Sequence, residues 1–177
     1  MPLKQLVPEE FCLRCDVCCR FPEAHTVWSQ LFTKSEIKHL VDKDILPPLL
    51  FTLAQDNLAK SKATQHKTQR IDLIAYKDYF ICPCFNPSDN KCKIYTNRPF
   101  ECVLYPFLLV RKGKKSFLAV DKKCPYVENL SQDEIKTYSD YLKKELNKKS
   151  VKSFLEDNPE LFAEYPPVDL KLLFSIS

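Results

Sequence analysis

Nine cysteines carry most of the chemistry this sequence can do. Four fall in one run, Cys12-Leu13-Arg14-Cys15-Asp16-Val17-Cys18-Cys19, which reads C-x2-C-x2-C-C. A C-x2-C turn aims two sulfurs at one point, as tetrahedral zinc or an iron–sulfur cluster requires. Cys18 continues the wrap. Adjacent cysteines rarely point the same way, so Cys18 and Cys19 are expected to serve different metals or roles. The second set, Cys82, Cys84, Cys92, Cys102 and Cys124, is spread over a later stretch. A site drawing on both sets would close the chain on its metal and couple binding to folding. Cys82-Pro83-Cys84 allows one sulfur to ligate while the other packs nearby as a small hydrophobe.

The spacing leaves zinc and iron both open. C-x2-C-x2-C matches the start of a bacterial ferredoxin run but lacks its x3-C-P continuation, and the radical-SAM spacing C-x3-C-x2-C is absent. Eight thiolates would suffice for two zinc sites. Arg98, between Cys92 and Cys102, is either a guanidinium that offsets thiolate charge or a surface arginine ahead of Pro99. Tyr95 accompanies it. Tyr105, Pro106 and Phe107 either shield a metal or belong to the core. His25 lies near the first set, but a lone histidine more often caps or faces solvent. His39 and His66 are expected in solvent. Without H-E-x-x-H, or H-x-E with P-C-x-x-C, the zinc-protease and deaminase readings lack their catalytic parts.

Composition narrows the class further. The chain has 177 residues, 45% hydrophobic and 28% charged, which suits one soluble domain with room for a core. Its single glycine, Gly113, against 13 prolines excludes phosphate-cradling loops and dinucleotide fingerprints. The N-terminal residues lack a signal-peptide pattern, and the apolar run 103–110 is too short to span a bilayer. A cytoplasmic protein is expected, with thiols kept reduced and available to metal. The net charge of +4 is weak evidence for a nucleic-acid partner, because eight ligand thiolates would carry it to −4 before the metal is counted. A metal ion is the expected partner, with no membrane and no nucleic acid. A protein partner is open, and Lys112, Lys114 and Lys115 with Lys122 and Lys123 either meet an acidic surface or face solvent.

Elements must position these groups. Residues 29–70 read as helical, with a capping box at Thr33 and Glu36, Ile37, Leu40 and Val41 on one face, and a break at Pro47-Pro48. Residues 59–70 read as an exposed loop or frayed helix end. Residues 71–81 read as strand or hairpin, followed by turns through residues 82–90. Residues 107–110 and 117–120 form a predicted β-hairpin with Gly113 at its tip. Ser131 and Glu134 make a second capping box, ahead of Ile135, Tyr138, Leu142 and Leu146 at helical spacing. A shorter helix, 154–162, breaks at Pro159, and residues 168–176 form a tail strand or helix. The expectation is a small irregular α+β domain, metal-centred, with a β-hairpin and flanking helices. Residues 1–130 would hold the metal, and 131–177 would be a helical extension packed on the same domain. Removing the metal would unfold residues 10–126.

The order Cys12-x2-Cys15-x2-Cys18-Cys19, then Cys92-Lys93-Ile94-Tyr95-x2-Arg98-Pro99-x2-Cys102, then Tyr105-Pro106-Phe107 and Cys124, resembles the YkgJ-type cysteine-cluster family, a zinc- or iron-chelating CxxCxxCC domain. The likeness spans about residues 10–126. It implies metal chelation by these cysteines rather than a particular reaction. A related cluster in flagellin lysine-N-methylase implies an iron–sulfur centre there. Two positions depart from the pattern. Val103 stands where a polar or basic residue is usual, and Cys82-Pro83-Cys84 offers two candidates for one family cysteine. Three functions are therefore expected in order: a metal-binding protein holding zinc or an iron–sulfur cluster, a lysine N-methylase-like enzyme using the same cluster, and an interaction module with structural zinc. The missing glycine-rich methyl-donor loop counts against the second.

Overall fold

A computed structural model describes residues 3–47, 50, 67–166 and 169–176. Helix α1 (Glu9–Cys12) and a 3-10 turn (Val17–Cys19) lead into strand β1 (Arg20–Phe21), and β2 (Leu31–Thr33) runs straight into α2 (Lys34–Asp42). Five short strands follow: β3 (Thr68–Arg70), β4 (Ile74–Tyr76), β5 (Tyr79–Ile81), β6 (Phe85–Asn86) and β7 (Lys91–Cys92). A 3-10 turn (Tyr95–Asn97) precedes α3 (Phe100–Leu104), and the hairpin β8 (Phe107–Lys112) and β9 (Lys115–Asp121) comes next. Then come α4 (Pro125–Glu128), α5 (Gln132–Leu146), α6 (Lys149–Asp157), a 3-10 turn (Pro159–Leu161) and β10 (Leu170–Ile176). The result is a small α+β fold of antiparallel sheets, ordered β1-β5-β4, β10-β9-β8, β2-β3 and β6-β7.

The β8–β9 hairpin is buried on both faces because its alternate residues serve different clusters. Phe107, Leu109, Leu118 and Val120 join the larger core, while Leu108, Val110 and Ala119 pack with Tyr165 on the opposite side. Gly113 takes φ +57° at the tip. Helix α5 starts at the expected Ser131–Glu134 capping box and buries Ile135, Tyr138, Leu142 and Leu146 into the larger core. That one stripe recurs at three- and four-residue steps, which is what a helix face needs to seat on a sheet. Val151 and Leu155 of α6 join the same core, as do Leu3 and Val7 of the N-terminal segment. Tyr138 Oη donates to the Lys4 carbonyl, and Lys4 N donates to Tyr141 Oη at 2.7 Å. A smaller core gathers Phe21, Phe32, Leu40, Leu46, Ile71, Ile81, Phe85 and Ile94.

Residues 29–70 are not continuously helical. Their described parts are strand β2, helix α2 and strand β3. Helix α2 has the expected capping box but stops at Asp42, well before Pro47. Asp44 turns left-handed at φ +52° and ends it, a conformation that aspartate tolerates through its short polar side chain. Residues 68–70, expected as loop or frayed helix, pair with β2 instead, with Thr33 opposite Thr68. Pro48, residues 59–66 including His66, and Val168 lie outside the described residues. The tail resolves as a strand: β10 pairs antiparallel with β9.

Candidate metal centre

All nine cysteines are free thiols and all nine line one cavity of about 240 Å³. The cavity lies at the seam between the two cores. Val7 and Cys124 of the larger core and Phe21, Phe32, Phe85 and Ile94 of the smaller one share its wall.

Local backbone geometry delivers each sulfur. Cys12 ends α1, and Cys15 N closes a turn onto the Cys12 carbonyl at 3.2 Å. Cys18 and Cys19 occupy the following 3-10 turn. Contrary to expectation, they do not point apart: their Sγ atoms are 3.9 Å from one another. The tight turn, followed at once by the extended Arg20, folds the two side chains together. The first set meets the second through the backbone, because Cys82 N donates to the Cys19 carbonyl at 3.0 Å and extends the β1–β5 pairing. Phe85 N closes the turn onto the Cys82 carbonyl at 2.9 Å, and both Cys82 and Cys84 are buried at the cavity. Cys92 sits opposite Phe85 in the β6–β7 pair. Cys102 rides on α3, and Cys124 immediately precedes α4, where Pro125 suits the first helical position.

Arg98 is no bare surface arginine. Nη1 donates to Cys12 Sγ at 3.7 Å, Nη2 to Gln5 Oε1 at 2.7 Å and Nε to the Tyr95 carbonyl at 2.7 Å. The guanidinium also stacks on the Tyr95 ring, 3.6 Å from its centroid, and Tyr95 Oη donates to Gln5 Oε1 at 3.3 Å. The positive charge thus stands beside the first cysteine run. Gln5, Gln30, Glu101 and Asp121 also line the cavity, and sequence reasoning missed them because isolated amides and carboxylates form no spacing pattern. Gln30 Nε2 donates to the Cys18 carbonyl at 2.7 Å. Tyr105, left open between shield and core, lines the cavity and donates Oη to Asp121 Oδ2 at 3.2 Å. His25 is exposed, and His39 bonds Asn97 Oδ1 at 3.3 Å on the surface.

Burial sets the electrostatics. It pushes the Cys12, Cys92 and Cys124 thiols up to about 11, and holds Cys102 well above the ordinary range. In the two close pairs the hydrogen bond splits the partners: Cys18 is lowered by Cys19, and Cys82 by Cys84, while Cys19 and Cys84 are raised. Burial also pushes Glu101 up to about 7. Clustered thiols with this much desolvation resist ionising together unless a cation takes the charge. The donor chemistry therefore fits a thiophilic metal. Yet among the described residues no three Cys, His, Asp or Glu side chains form a group that would hold one ion. The sulfurs line one shared cavity without three of them converging on a point.

This is the class of small, cysteine-lined, metal-chelating domains. The family model described as "CxxCxxCC: Putative zinc- or iron-chelating domain" matches residues 11–125, and the chain belongs to that family. No curated protein and no solved structure matches the chain. Among the described residues no helix is long and apolar enough to cross a membrane.

Proposed function

We propose that the cavity holds an iron–sulfur cluster on cysteine thiolates drawn from both sets, serving structure or electron transfer. One observation carries this reading: nine thiols line a single void of about 240 Å³, the volume of about eight water molecules. A lone zinc ion needs only four thiolates, which leaves more than half of these nine unused. A cluster brings its own inorganic sulfide to fill the space and spaces its cysteine sulfurs more widely. Arg98 would offset the charge of the loaded site and donate to sulfur, which tunes thiolate centres. Residues 1–130 would form the metal-holding part, with 131–177 packed on it.

Zinc is the second reading, favoured by the Cys18–Cys19 contact of 3.9 Å. A tetrahedral zinc with bonds of about 2.3 Å sets its sulfurs about 3.8 Å apart. A methylase-like activity is less well supported, because a chain with one glycine has no glycine-rich methyl-donor loop. Metal and acid-labile sulfide in anaerobically purified protein, with the visible spectrum, decide among these. Iron, sulfide and a brown chromophore are expected. Colourless protein with about one or two zinc ions favours the second reading, and protein without stoichiometric metal overturns both.

A further inference from the structure

We infer that Glu36 and Glu101 are positioning residues for the thiol cavity: two carboxylates, crossed between the β2–α2 segment and α3, hold Cys102 in register with Cys18. The inference rests on the metal-binding reading above and deepens it.

Two capping boxes among the described residues make the case by contrast. Glu134 serves only its own helix start, accepting from Ser131 N at 2.8 Å and Ser131 Oγ at 2.7 Å. Glu36 does the same for α2, with Oε2 accepting from Thr33 N at 2.8 Å and Thr33 Oγ1 at 2.9 Å. Its other oxygen is free for a second task. Oε1 accepts from Phe100 N, the first amide of α3, at 2.7 Å. Pro99 gives that helix no side-chain cap, so Glu36 supplies from a distant segment what the local sequence lacks.

The return link comes from the next residue. Glu101 of α3 reaches back with Oε2 to accept from Leu31 N at 2.7 Å, while Oε1 accepts from Tyr165 Oη at 3.1 Å. Each segment thus donates an amide to the other segment's carboxylate. The crossed pair is joined to the cysteines on both sides. Cys102 follows Glu101 directly. Gln30 precedes Leu31, donates to the Cys18 carbonyl at 2.7 Å, and accepts from Ile71 N at 3.0 Å on its own carbonyl. A continuous route runs from Cys18 through Gln30, Leu31 and Glu101 to Cys102. A five-residue helix such as α3 has little rigidity of its own. Its sulfur is placed by what grips its first turn.

The test compares Glu36→Ala, Glu36→Gln, Glu101→Gln and the remote control Glu134→Ala, all purified without air beside the wild type. The readouts are the rate of metal release to a chelator and the absorption spectrum of the bound metal. Glu134→Ala is expected to lose the carboxylate half of its capping box yet keep the wild-type release rate and spectrum. Glu36→Ala is expected to release metal about tenfold faster, the scale of a lost supporting contact around a metal site, with an altered spectrum. Glu36→Gln retains one accepting oxygen and is expected to fall between. If Glu36→Ala fails to fold, Glu36→Gln and Glu101→Gln carry the comparison. Wild-type rate and spectrum in both Glu36→Gln and Glu101→Gln overturn the inference, as does a Glu134→Ala effect as large as theirs. Wild-type protein without metal overturns the metal reading itself, and the inference with it.

Discussion

Arg98 illustrates what one side chain does at this site. Its fork spans Cys12 Sγ, Gln5 Oε1 and the Tyr95 carbonyl while its face lies on a tyrosine ring. A lysine keeps the charge but offers neither the planar fork nor the stack. Arg98→Lys is therefore expected to weaken metal binding by about tenfold, measured by competition with a chromophoric chelator. Wild-type affinity in that variant would mean that charge alone matters. The thiols give a pH rule. Burial raises Cys12, Cys92 and Cys124 to about 11 from an ordinary 9.0. At pH 7 these groups are protonated in the metal-free protein, and each one ligated must lose its proton. Affinity is expected to rise with pH, and calorimetry in two buffers of different ionisation heat should count the protons released. For the metal-free fold the sign reverses. A raised folded-state value such as that of Cys124 gives stability that is full below pH 9 and lost as the pH climbs through 11. Melting curves of reduced, metal-free protein at pH 8 and 10 check it. At this scale the spacing singled out the cysteines that line the cavity, while Arg98 stood even between a thiolate partner and a surface arginine. Gln5 and Gln30 were not singled out, because nothing local distinguishes an amide that will meet a distant carbonyl or guanidinium.

Elements were legible where the chain states its own boundaries. Both capping boxes are present, as is the hairpin, because a Ser or Thr with a Glu three residues on, or a lone glycine between two apolar runs, encodes its geometry locally. The two- and three-residue strands β1, β3, β6 and β7 were not readable as strands, since so short a stretch has no period and exists only through its partner. The seven-residue tail was ambiguous for another reason: Leu170, Leu172, Leu173, Phe174 and Ile176 fit both a strand and a helix period, and pairing with β9 decides it. Gly113 makes a clean test of local encoding. Its φ is +57°, and nothing lies within 4 Å of where a Cβ would stand. Gly113→Ala is therefore expected to cost about 1 kcal/mol from backbone conformation alone, seen as a lower midpoint in denaturant with metal content unchanged. A larger loss, or loss of metal, would show that the tip does more than turn the chain.

Among the described residues a thiol-lined seam lies between two large apolar bodies, with a third, minor cluster around Tyr165 on the far face of the β8–β9 hairpin. The larger, with α5, α6 and the β8–β9 hairpin, has a continuous core of its own, whereas the smaller is gathered around short strands and the turn at Cys82–Cys84. Metal removal is expected to act unevenly, more narrowly than loosening all of residues 10–126. Amides around Phe21, Ile81 and Phe85 should exchange hydrogen much faster, while those of α5 keep their protection. Uniform loss, or no change, would refute that division. Trp28 gives this architecture one more property. It is the chain's only tryptophan, it borders the cavity, and its ring lies 4.9 Å from that of Tyr165. Its emission is thus a built-in optical gauge of the seam. A cluster absorbing in the near ultraviolet would drain the excited indole by energy transfer, and zinc, which has no such band, would leave it bright.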